Sequence, residues 1–141
     1  EPAPALIRLP EDLPEDLLRH LGRAFSLFWM DGAACANAIR GAVDEFLNHH
    51  RVRKTDGSRT SRGRLSLHRR IELFAEQDEH LASALMAVKW IGNVGSHSAE
   101  VRREALFDGF DLLEHVLYES FEAPRKKAAR LAREVTRRKG R

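Results

Sequence analysis

Lys89, Asn93 and His97 recur at four-residue steps within the stretch Lys89-Trp-Ile-Gly-Asn-Val-Gly-Ser-His97. On a helix such positions stack along one face, so a cation, an amide and an imidazole would share a ridge. The ammonium could stabilise phosphate charge, the imidazole could move protons near neutral pH, and the amide could orient either. Such a set presents phosphate-binding and proton-transfer chemistry together. Gly92 and Gly95 lie inside the stretch, where alanine would favour a helix by about 1 kcal/mol per site. A structural alternative stands beside the chemical one. In it Asn93 ends or caps a helix, Gly95 takes a left-handed turn, and His97 caps the next helix.

The elements that must position these residues are all helical. Pro14 with Glu15 and Asp16 reads as a helix start, followed by Leu17, Leu21, Ala24, Phe25 and Phe28 at helical spacing. Asp31 is the expected N-cap of a second helix running to about His50, with Cys35, Ile39, Ala42, Val43, Phe46 and Leu47 as its buried stripe. Residues 51–63 have no apolar period and read as an exposed, mobile loop. Leu65, Leu67, Ile71 and Phe74 mark a short third helix. Asp78 caps a fourth that enters the Lys89–His97 stretch, and Glu100 opens a fifth through Phe121. Pro124 starts a sixth, basic helix with Ala128, Leu131 and Val135 as a thin apolar side. No segment alternates as a strand would. The expected fold is all-α: an extended segment 1–10, a single-domain bundle of five main helices over 11–123, and a basic helix or tail over 124–141.

Charge is segregated within a net +3. Residues 124–141 hold nine Lys/Arg and one acid, and residues 51–70 hold eight against Asp56 alone. Two basic segments on an acidic body suit contact with a polyanion or with an acidic protein surface. Candidate nucleic-acid contacts are Arg51, Arg53, Lys54, Arg59, Arg62, Arg64, Arg102, Arg103, Arg125, Lys126 and Lys127. No run of about 18 apolar residues encodes a membrane span. The single Cys35 excludes an internal disulfide and a cysteine-rich zinc site, and a reducing cytoplasm is the expected compartment. No histidine pair has the spacing of a zinc helix motif, so neither metal nor cofactor is expected. His20, His68, His80 and His115 read as single histidines at helix surfaces. His49 and His50 close the second helix, where an imidazolium suits the negative dipole end. Trp29, Trp90 and the phenylalanines fall on apolar stripes, with Trp90 the one to reach the surface. Arg40 is expected to pair with Asp44 one turn on, or to face His97 across the bundle. A chain that opens on Glu1 and not on Met is expected to be either trimmed or missing an upstream segment.

Ala-Ile39-Arg40-Gly-Ala-Val-Asp44-Glu45-Phe-Leu in the second helix resembles the domain-of-unknown-function family 4145, as does Gly92-Asn93-x-x-x-His97 with Leu112, Leu113, Val116 and Leu117 after it. The resemblance covers about residues 9–121. Through that family the chain resembles the HEPN group (higher eukaryotes and prokaryotes nucleotide-binding domains), which implies a small helical bundle, often a homodimer. Many members are metal-independent ribonucleases of defence, restriction and toxin–antitoxin systems. Their signature, an Arg, a polar residue, three further residues and a His, lays Asn93 and His97 on the polar and histidine positions. Gly92 then stands where the phosphate-binding arginine belongs. Lys89, Arg102 or Arg103 could stand in, though lysine offers a point charge and not the bidentate fork. The resulting expectation is a non-catalytic nucleic-acid-binding module, RNA favoured, accessory to such a system. The alternatives are an endoribonuclease using His97 with Asn93 and Lys89, and a protein-interaction or dimerisation module.

Overall fold

A computed structural model describes residues 3–57, 63–97 and 101–141, with the backbone alone at 92–97. Among the described residues six helices follow in order: α1 (Glu15–Phe28), α2 (Gly32–His49), α3 (Leu67–Phe74), α4 (Glu79–His97), α5 (Arg103–Leu117) and α6 (Ala123–Arg137). A π-helical turn, Tyr118–Glu122, joins α5 to α6. Among the described residues there is no strand, only an isolated antiparallel bridge between Thr55 and Arg64. The all-α expectation therefore holds.

Helix α2 is the axis of the bundle, packing on α1, α3, α4 and α5. It can do so because its apolar residues are small or spread around the cylinder. Cys35, Ala36, Ile39, Ala42, Val43, Phe46 and Leu47 are all buried. The Asp31 carboxylate caps it by accepting the Ala34 N–H at 3.1 Å. Asp78 does the same for α4 through Leu81 N–H at 2.9 Å, and Ser66 for α3 through Arg69 N–H at 3.1 Å. Cys35 is a buried packing residue. Its thiol points at the Ala24 carbonyl 3.3 Å away, and burial pushes it up to about 11, which removes thiolate reactivity.

Three outcomes bear on the sequence reading. First, α4 runs unbroken through Gly92 and Gly95 to His97, as the ridge reading requires; the alternative in which Asn93 or Gly95 ends it does not hold. Second, α6 starts at Ala123, one residue before the expected Pro124, and follows α5 through the π turn with no loop between them. The expected start of α5 at Glu100 lies outside the described residues. Third, Trp29 is not core: it is 58% exposed. Its neighbour in sequence Met30 is exposed too, and so is Phe107, which like Trp29 packs on the Phe28 ring. The N-terminal segment straps the end of α5 and the start of α6 to the bundle. Arg8 N–H donates to Glu114, the Arg8 guanidinium pairs with Glu122, and Arg125 pairs with Asp12.

Candidate functional site

The neck of the basic loop is built at the end of α2. There Val52 N–H bonds to the Leu47 carbonyl and Arg51 N–H to that of Asn48, both at 3.0 Å, closing a Schellman cap. Arg51 occupies the left-handed position of that cap, with φ +60°, where glycine is the usual residue. Asp56 N–H to Gly63 O and Leu65 N–H to Lys54 O, each 2.8 Å, tie the two arms of the loop together. Arg53, Lys54 and Arg64 are exposed at this neck, as is Arg51. Arg59 and Arg62 lie outside the described residues. The loop expected to be mobile from residue 51 onwards is thus anchored at its base.

Arg70 does the anchoring. It is buried, and its Nε donates to the Arg53 carbonyl at 3.2 Å. One terminal nitrogen reaches the Asp44 carboxylate at 2.9 Å, and the other reaches Asn48 Oδ1 at 2.7 Å and the Val52 carbonyl at 2.9 Å. A guanidinium at the carbonyl end of α2 also meets the negative end of that helix dipole. Sequence reasoning counted Arg70 only as one charge in a basic run. The available signal was its place on the apolar face of α3, between Leu67 and Phe74.

Helix continuity keeps Lys89, Asn93 and His97 on one backbone ridge. The side chains of Asn93 and His97 lie outside the described residues. Lys89 is only 7% exposed. Its ammonium lies 3.9 Å from the Trp90 ring centroid and donates to His68 Nδ1 at 3.3 Å. The other His68 nitrogen is 3.9 Å from the Glu72 carboxylate. Lys89 thereby closes the seam between α3 and α4. His68 is not a solitary surface histidine, and neither are His80 and His115, whose Nε2 atoms meet at 2.9 Å. Asp44, expected beside Arg40, is engaged by Arg70.

His50 also departs from expectation. It stacks among Phe46, Phe74 and Phe121, and its Nε2 is buried with no hydrogen-bond partner. Burial lowers its pKa, the neighbouring His49 lowers it further, and Asp78 pulls the other way. The imidazolium expected at this helix end is therefore disfavoured; desolvation outweighs the dipole.

The remaining cations lie on α5 and α6. Arg102 and Arg103 are exposed at the start of α5, with the Arg103 guanidinium 5.4 Å from the Trp29 ring centroid. On α6, Arg125 is tied to Asp12, and Lys126 to Glu122 at 3.1 Å. Those two are partly neutralised, whereas Lys127 is exposed with no acidic partner among the described residues. The sequence reading passed over Arg130, Arg133 and Arg137. They follow Lys126 at intervals of four, three and four residues, so all four line one edge of the helix over about 16 Å. Every residue from 124 to 141 is exposed. Among the described residues no cluster of three or more His, Cys, Asp or Glu is gathered to hold a metal ion, and no described helix is long and apolar enough to cross a membrane.

No curated protein and no solved structure matches the chain. A family model described as "Domain of unknown function (DUF4145)" matches residues 22–134, a span that includes the axis helix, the Lys89–His97 stretch and α6 as far as Glu134. On that match over most of its length, the chain belongs to the DUF4145 family.

Proposed function

We propose that this protein is a HEPN-like, non-catalytic module that binds nucleic acid, RNA in preference, as an accessory or sensing part of a prokaryotic defence, restriction or toxin–antitoxin system. The observation that carries the reading is the cationic edge of α6. Arg130, Arg133 and Arg137 stand on an exposed helix with no acidic partner among the described residues, spaced to follow a phosphate backbone. The Arg51–Arg64 neck adds a second fixed group of cations, and Trp29 with Arg103 offers an exposed aromatic face beside a guanidinium. The non-catalytic part rests on two residues. Gly92 replaces the phosphate-binding arginine, and Lys89, its nearest substitute in sequence, is buried against His68 and Trp90.

The test is fluorescence anisotropy of a labelled single-stranded RNA across a salt series. Replacing Arg130, Arg133 and Arg137 together by Glu should flatten the slope of log affinity against log salt by about two units. The loss should be similar for unrelated sequences. Wild-type affinity that ignores salt, or a slope unmoved by the triple change, would overturn the proposal. RNA cleavage in EDTA that disappears in His97→Ala would replace it with the endoribonuclease reading. One observation favours a protein-interaction role for the other edge of α6: Leu131, 55% exposed, and Val135 form an uncovered apolar seam there.

A further inference from the structure

The Nε2 atoms of His80, in the first turn of α4, and His115, in the last turns of α5, face each other at 2.9 Å. Their rings are perpendicular, 87° apart, with centroids separated by 5.1 Å. Each imidazole therefore presents the nitrogen that metals bind, from two helices that pack directly on one another. The 2.9 Å separation is that of an N–H···N hydrogen bond, close enough for small side-chain rotations to bring both nitrogens onto one ion. We propose that His80 and His115 form an open two-histidine site for a divalent transition metal, with Cu(II), which nitrogen ligands hold most tightly in the first-row series, preferred.

The chemistry closes without net proton release. In the free protein one imidazole donates its Nε2–H to the other's Nε2 lone pair. On metal binding the donor moves that proton to Nδ1, both Nε2 lone pairs turn to the ion, and two of its waters leave. Both rings are exposed, so the side-chain rotation needed meets no core packing. With no third His, Cys, Asp or Glu gathered there, water fills the remaining positions, which makes the site exchangeable and not a structural cage. Asp111, one turn before His115, lines the same surface groove as His115, together with Glu114, Glu122 and Arg8. Glu122 is engaged by Arg8 and Lys126 and Glu114 accepts the Arg8 N–H, which leaves Asp111 as the carboxylate beside His115 that carries no ion pair among the described residues. Bound metal would clip the start of α4 to the end of α5, close to the π turn from which α6 departs.

Titration of the full chain with copper(II) sulfate, followed by calorimetry and by electron paramagnetic resonance, tests the site. One ion should bind per chain with a nitrogen-ligated tetragonal signal, and copper(II) should bind more tightly than nickel(II) or zinc(II). His80→Gln and His115→Gln should each weaken binding at least tenfold and remove that signal, while circular dichroism confirms an unchanged helical fold. No binding by the wild-type chain would overturn the proposal. So would binding that persists in both variants, which would move the copper to His49–His50 or another histidine.

Discussion

The Arg70 guanidinium spends all three of its nitrogens on acceptors from α2 and the segment that follows it. Arg70→Met should destabilise the chain by about 3 kcal/mol, because it strands the buried Val52 carbonyl and the part-buried Arg53 carbonyl and leaves Asp44 and Asn48 without the guanidinium. Arg70→Lys keeps the charge but cannot span the same acceptors, and should still cost about 2 kcal/mol. Urea unfolding monitored by circular dichroism reads both; a loss under 1 kcal/mol for Met would refute the clamp. His50 makes a pH prediction. Its folded pKa lies below the ordinary 6.5, so between the two values the unfolded chain binds more protons than the folded one. Its contribution to stability is fully present above about pH 6.5 and is lost as pH falls through the folded value. His50→Phe should therefore lose less stability than wild type between pH 7.5 and 5.5, with denaturation midpoints at several pH values as the measure. Neither residue's role was legible beforehand. A charge on an apolar helix face, or an imidazole at a helix end, has several partners compatible with its spacing, and only packing selects one.

At the scale of elements, caps and periods were readable. Asp31 and Asp78 cap the helices they were expected to cap, since a side-chain oxygen three residues before an orphan N–H is a local arrangement. Pro124 likewise marks the start of α6, which begins at Ala123. Gly92 and Gly95 favour a break, yet α4 continues through both, because glycine lowers helix propensity without forbidding the helix. Two substitutions test local cost directly. Arg51→Gly should raise stability by about 1 kcal/mol by relieving the left-handed backbone at the end of α2. If the neck meets phosphate, the same change should weaken RNA binding, separating charge from strain. Gly22→Ala, in the middle of α1 where a Cβ meets nothing within 4 Å, should stabilise by about 1 kcal/mol. A thermal midpoint that falls in either variant would contradict the geometry.

The whole molecule is a bundle around α2 with the basic helix α6 extending from it, strapped by the N-terminal segment through Arg8 and Asp12. The strap predicts that Asp12→Ala and Glu122→Ala together raise salt-dependent RNA affinity severalfold, because they release Arg125, Lys126 and Arg8. Unchanged anisotropy would show that those cations do not face the ligand. The amino-acid sequence by itself determined the all-α class, the buried stripes of α1, α2 and α3 and the segregation of charge. Each of these is written in residue type and spacing along one helix, where neighbours are fixed by a 3.6-residue turn. Only the tertiary structure decided which cations are neutralised, that Lys89 is buried, that Arg70 clamps the loop, and that His80 meets His115. Those outcomes depend on how separate helices are juxtaposed, across 26 residues for Arg70 with Asp44 and 35 for His80 with His115, and no periodicity along a single helix specifies that.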